Sequence, residues 1–144
     1  MKILHLFYST LPSAKGGDIR SRDVVESQKE IGLDVLALSS PFQPPAEPGA
    51  IAEVFGGVTY HRCFHNDGDL RISEHDQGLK VKLLKLLKLF AFSDVIVRLA
   101  RRERPDMIHA HSSFFCAFAG KRAAHKLKLP LVYEVRSLWE ERSL

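Results

Sequence analysis

Four places in the chain hold residue types that could do chemistry. The first is Ser13-Ala14-Lys15-Gly16-Gly17-Asp18, just after the apolar run Ile3 to Tyr8. Glycine lets a backbone approach a phosphate closely, and a helix starting there offers free N–H groups. Arg20 lies close behind and joins Gly16 and Gly17 as a candidate cleft residue. The spacing is neither Gly-x-Gly-x-x-Gly nor Gly-Lys-Ser/Thr. The bare residues therefore leave a flexible turn and a phosphate-facing loop both open. The second place is His109-Ala110-His111-Ser112. Residues two apart in a strand share a face, so the histidines have the spacing of a zinc pair. No third ligand follows at a fixed spacing, and no metal is expected. His109 reads as a core or supporting histidine, and His111, with Ser112, as the pocket residue.

The third place is Glu134-Val135-Arg136. A charged residue alternating with valine at a strand end is costly unless it faces a pocket or a partner. Arg136 suits a phosphate or carboxylate; an ordinary surface ion pair is the alternative. The fourth is the segment Leu79 to Phe92, where Lys80, Lys82, Lys85 and Lys88 interleave with leucines, Leu84 among them. At about 100° per residue, Leu79, Leu83, Leu86, Leu87 and Phe90 share one arc, expected to pack on a sheet. The lysine side, carrying Val81, Leu84 and Leu89, is then a candidate for an anionic membrane surface. A solvated face with snorkelling lysines is the plainer reading.

These groups need a scaffold. Short apolar runs near Ile3, Val35, Val58, Ile108 and Val132 read as strands, separated by helical patterns. That alternation predicts an open parallel sheet with helices on both faces. Asp18 is placed as the cap of the first helix and Gly32 as its stop. Val54-Phe55, Gly56-Gly57 and Val58 to Cys63 suggest a hairpin or a third strand. Pro41 to Gly49 and Phe64 to Gly78 read as loops. Ser93-Asp94 shifts the apolar arc, so a break is expected there, with a second helix ended by Pro105. Ser112-Ser113 caps the next helix. A new element is expected after Arg136. The carboxyl ends of parallel strands share one edge, so Gly16, Gly17, His111 and Arg136 are expected to line one cleft there.

The chain has 144 residues, net charge +4 and 45% hydrophobic residues. Those values exclude a long disordered protein and describe one globular domain. A mild positive balance suits a nucleotide, a phosphate or a lipid head group, without the dense basic stripe of a nucleic-acid binder. Cys63 and Cys116 make no disulfide framework. No signal peptide and no spanning segment is read, so a cytoplasmic protein is expected.

The ordered motifs resemble a family. They are Lys2-Ile3-Leu4-His5 leading to Gly16-Gly17-Asp18-Ile19-Arg20; Gly32-Leu33-Asp34-Val35; Gly57-Val58-Thr59-Tyr60; Pro105 to Ser112; and Pro130 to Glu141. Together they resemble the N-terminal, acceptor-side domain of family-4 glycosyltransferases, which are retaining enzymes of GT-B fold. The His109 to Ser112 and Tyr133 to Glu141 segments look most like the subgroup tied to exosortase-linked exopolysaccharide synthesis. The resemblance implies a Rossmann-like N-terminal half spanning 1–144, with the donor-binding half lying outside it. It implies a hexosyl transfer from a nucleotide-sugar, itself a substrate, to a saccharide or lipid-linked acceptor, with no cofactor and no metal. It also implies that this half alone is inactive and that Gly16 and Gly17 lie near the donor phosphates. Arg136 stands where many family members carry a histidine. A lipid-linked acceptor would draw the protein to the inner membrane face. A non-catalytic, flavodoxin-like module docking through the Lys/Leu helix is the alternative. An oxidoreductase is disfavoured by the missing glycine fingerprint and ribose-binding acid.

Overall fold

A computed structural model describes residues 1–13, 16–63 and 78–136. The element order is β1 (Lys2–Phe7), α1 (Gly16–Glu30), β2 (Asp34–Ser39), β3 (Ala52–Phe55), β4 (Val58–His61), α2 (Leu79–Glu103), β5 (Met107–His111), α3 (Phe114–Leu127) and β6 (Leu131–Glu134). They build a six-stranded sheet in the order β3-β4-β2-β1-β5-β6. Every neighbouring pair is parallel except the β3–β4 hairpin. Gly56 and Gly57 turn that hairpin with φ of 57° and 70°, a conformation that costs glycine little.

Strand alternation divides the core into two layers. Leu4, Leu6, Leu36, Leu38, Ile108 and Ala110 pack under α2 and α3. Phe7, Val35, Ala37, Val58 and Tyr60 pack with Val25 of α1 on the other face. The sheet is thus an α/β, Rossmann-like layer with helices on both faces. The chain reverses strand order between β1 and β5, the place where such sheets open a crevice beyond the strand ends. Among the described residues both cysteines are free and buried.

Three expectations are corrected. The first helix begins at Gly16, so Asp18 lies inside its first turn and does not cap it. Asp18 is buried and accepts a 2.6 Å hydrogen bond from Ser9 Oγ, tying the helix start to the β1 loop. Second, α2 runs unbroken through Ser93 and Asp94, because Ser93 is buried and its neighbours Phe92, Ile96 and Val97 keep one face in the core. Third, the apolar arc faces outward. Leu79, Leu83, Leu86, Leu87 and Phe90 are all exposed, Leu79 by 86%. The side with Val81, Leu84, Lys85, Lys88 and Leu89 is half-buried. Lys88 Nζ lies 5.9 Å from the Phe42 ring. The register of the long helix is set by Phe92, Ile96 and Val97, and its amino-terminal turns follow that register. Other expectations match. Ser113 caps α3, accepting from the Phe115 N–H at 3.2 Å, and α2 closes at Arg104 before Pro105. Residues 64–77 of the loop read over Phe64 to Gly78, and the element expected after Arg136, lie outside the described residues.

Candidate functional site

The parallel register carries a polar group into the sheet. His5 of β1 pairs in register with His109 of β5. His111 lies two residues on, so the three histidines share the face that α1 covers. His5 and His111 are buried, and His109 is half-buried. The His109 and His111 ring centroids are 3.9 Å apart, and Phe7 stacks on His111 at 4.5 Å. The Gln28 amide of α1 lies 2.9 Å from His5 Nε2. His5 Nδ1 lies 2.9 Å from His111 Nε2.

The far side of His111 meets the end of β6. Glu134 Oε2 is 2.7 Å from His111 Nδ1. Arg136 donates to Glu134 through Nε at 3.2 Å, to Gly17 O at 3.1 Å and to Ser21 Oγ at 2.7 Å. Its Nη2 lies 2.8 Å from His111 Nδ1. Arg20 donates to Glu134 Oε1 at 3.1 Å, with its side chain 61% exposed. Two guanidiniums thus meet one carboxylate, with the buried Asp18 carboxyl next to Gly17 at the start of α1.

Burial, with the neighbouring histidines and Arg136, lowers the His111 pKa. Burial and His109 lower that of His5 to about 4. Both rings are therefore neutral at pH 7. Burial pushes Glu134 up, but the hydrogen bonds from Arg136 and His111 outweigh it and hold the carboxyl below its usual range. His111 Nδ1 thus has both an acceptor, Glu134 Oε2, and a donor, Arg136 Nη2, within hydrogen-bond reach.

Gly17, Arg20, His111 and Arg136 are thus brought to one corner, with Gly16 beside them at the start of α1. Ser112 adopts a left-handed φ of 60° and donates its N–H to Glu134 O at 2.8 Å; its own C=O accepts from the Tyr133 hydroxyl. Lys80, Lys82, Lys85, Lys88 and Leu84 sit on α2, on the opposite face of the sheet. A cavity of about 270 Å³ lies on that α2 side too, lined by residues such as Cys63, Lys88, Phe92 and Arg98, away from the histidines. His5, Gln28 and Ser21 were missed in the sequence. His5 left one signal, a polar residue inside an otherwise apolar strand.

The family model described as Glycosyltransferase Family 4 matches residues 35–144. The chain belongs to glycosyltransferase family 4. No curated protein matches it significantly. Solved structures resemble this family-4 domain at the level of fold. The C-terminal domain of a Pyrococcus furiosus hydrogenase superposes with a TM-score of 0.59 at 12% identity, covering 93% of this chain and 90% of that one. MurG of Acinetobacter baumannii gives 0.52 at 13% identity, covering 98% of this chain and 38% of that one. The UDP-GlcNAc 2-epimerase of Methanocaldococcus jannaschii gives 0.50 at 12% identity, covering 92% and 31%. The family-4 chain therefore spans about a third of the length of those last two proteins. Its sheet is the Rossmann-like half of a GT-B fold, and the domain is a glycosyltransferase N-terminal domain.

Proposed function

We propose that this domain is the acceptor-side half of a retaining glycosyltransferase. It would work with a donor-binding domain outside residues 1–144 to move a hexosyl group from a nucleotide-sugar to a saccharide or lipid-linked acceptor, as in exopolysaccharide synthesis. The observation that carries the reading is the corner where Arg20, Arg136 and Gly17 meet at the strand carboxyl ends of a family-4 domain. Gly16 and Gly17 are helical, and a Cβ on either would meet nothing within 4 Å. Packing does not demand glycine there, which favours a close approach by a ligand. Arg136 is engaged by Glu134, Gly17, Ser21 and His111, so its part is to hold the corner together. The exposed Arg20 is the cation that can swing onto a diphosphate. Positive charge on a leaving diphosphate stabilises it as the glycosidic bond breaks.

The outward stripe of Leu79, Leu83, Leu86, Leu87 and Phe90, with Lys80 and Lys82 exposed on its two flanks, favours docking on an anionic membrane. Among the described residues no helix is long and apolar enough to cross a bilayer. The docking would be peripheral, on the inner face, where a lipid-linked acceptor is presented. The same stripe would serve the alternative of a non-catalytic docking module.

The test uses the full-length protein with a panel of nucleotide-sugars and lipid-linked acceptors. Transfer is expected, and Arg20→Ala should lower turnover at least tenfold with an unchanged melting temperature. Wild-type turnover in Arg20→Ala would remove the cation from the mechanism. No transfer from any donor would favour the docking module.

A further inference from the structure

The two-histidine motif lacked a third ligand in the sequence, and the fold supplies it. His5 of β1 lies beside His109 and His111 on one face of the sheet. One nitrogen of each ring lies within 4.8 Å of the others. We propose that His5, His109 and His111 form a binding site for a divalent transition-metal ion of the zinc class.

The hydrogen bonds argue for it. Gln28 Oε1 lies 2.9 Å from His5 Nε2, so that nitrogen donates and His5 Nδ1 is left with its lone pair. His111 Nδ1 lies 2.7 Å from Glu134 Oε2, which accepts, and 2.8 Å from Arg136 Nη2, which donates; paired with Glu134 it carries the proton and the lone pair is on Nε2, and paired with Arg136 it is the acceptor and Nε2 carries the proton. In the first case two lone pairs face each other across 2.9 Å, and in the second His111 Nε2 donates to His5 Nδ1. In the first case the two acceptors repel unless a cation lies against both. Turning the Gln28 amide end for end lets a proton fill the gap, with His5 Nδ1 donating to His111 Nε2. Each of these arrangements leaves His109 Nε2 buried with no hydrogen-bond partner among the described residues. A metal ion satisfies all three nitrogens at once.

The surroundings are those of a metal site. Histidine ligands usually donate their second N–H to an oxygen that fixes the tautomer. Gln28 Oε1 is placed to take it from His5, and Glu134 Oε2 is placed to take it from His111. With Zn–N near 2.0–2.1 Å, tetrahedral ligand atoms stand about 3.3 Å apart. The His5–His111 separation is close to that, and a shift of the His109 ring closes the rest. Imidazole nitrogen selects zinc, cobalt, nickel or copper over magnesium or calcium. Three protein ligands leave a fourth position for water. Arg136, 2.8 Å from His111 Nδ1, and Arg20 place positive charge nearby and oppose the ion, Glu134 offsetting one of them. The affinity is therefore weaker than that of a closed structural zinc site.

The experiment is calorimetric titration of the purified, chelator-treated chain with Zn²⁺ at pH 7.5, together with visible spectroscopy of the Co²⁺ form. One ion per chain, a raised melting temperature and a cobalt d–d band are expected. His109→Ala should weaken zinc binding by tenfold or more, and Gln28→Leu by about tenfold, the usual effect of removing an outer partner. Circular dichroism of each variant shows whether it has folded. If His109→Ala does not fold, His109→Gln replaces it. His125→Ala, on the exposed side of α3, should bind as the wild type does. Folded wild-type protein with neither zinc heat nor a cobalt band overturns the proposal. So does zinc binding that survives loss of the His109 imidazole undiminished.

Discussion

Arg62 is a buried cation just past the end of β4, and removing its partner should be costly. Its side chain is 1% exposed, and Nε lies 2.6 Å from Glu53 Oε2, itself 9% exposed. The guanidinium also donates to Gln43 Oε1 at 3.3 Å and to Leu11 O. Gln43 in turn bonds the Thr10 backbone at both ends of its amide. The pair therefore anchors the β3–β4 hairpin to the loop that carries the chain from β1 toward Gly16. Glu53→Ala deletes the ion pair and the acceptor for the Ala46 and Glu47 N–H groups. It leaves a guanidinium in the interior without its counter-charge. Breaking a buried pair from one side costs about 3 kcal/mol or more. In a chain of this size that lowers the melting temperature by roughly 6–12 °C. Burial raises the Glu53 pKa, but Arg62 outweighs it and the folded carboxyl titrates below its ordinary value. The stabilisation is thus fully present above the unfolded pKa and is lost as pH falls through the folded one. Urea unfolding followed by circular dichroism at pH 7 and pH 3 reads both effects. The gap between wild type and Glu53→Ala should be large at pH 7 and narrow at pH 3. Glu53→Ala combined with Arg62→Leu should recover part of the loss, since no buried charge remains. A loss under about 0.5 kcal/mol at pH 7, the size expected of an ordinary surface change, would refute the argument.

Three further outcomes follow from single positions. Gly17→Ala should leave thermal stability equal or raise it by up to about 1 kcal/mol, because the site is helical and open; in the full-length enzyme it should raise the donor KM, and unchanged kinetics would count against a ligand at this glycine. Leu83→Ser with Leu87→Ser should change unfolding free energy by less than about 0.5 kcal/mol, since both side chains are more than half exposed, while sedimentation with anionic liposomes should be lost; a large drop in stability would mean that the stripe is covered. Gly120→Val should destabilise by about 1–3 kcal/mol in a thermal melt, because even a Cβ there comes 2.9 Å from Leu6 Cδ1 and 3.4 Å from Leu131 Cδ1; wild-type stability would show that α3 has room to move off the sheet.

Much of this protein is legible in its residues one stretch at a time. Apolar runs at Ile3, Val35 and Ile108 can bury both faces only inside a parallel sheet, so strand, crossover and layer follow from local pattern. Glycines at 32, 56 and 57 and prolines at 105 and 130 punctuate it, because backbone sterics act within a few residues. The corner of Gly17, His111 and Arg136 is legible for the same reason, since all parallel strands end on one edge. Two things are not local. The face that α2 turns inward was misread, because five apolar residues on one arc look like a core stripe until Phe92, Ile96 and Val97 settle the helix rotation a few turns later. The tri-histidine cluster was invisible, because His5 and His109 are 104 positions apart and only strand register makes them neighbours. Spacing along a chain records which side chains share an element; which elements meet, and with which face, is decided when the whole core closes.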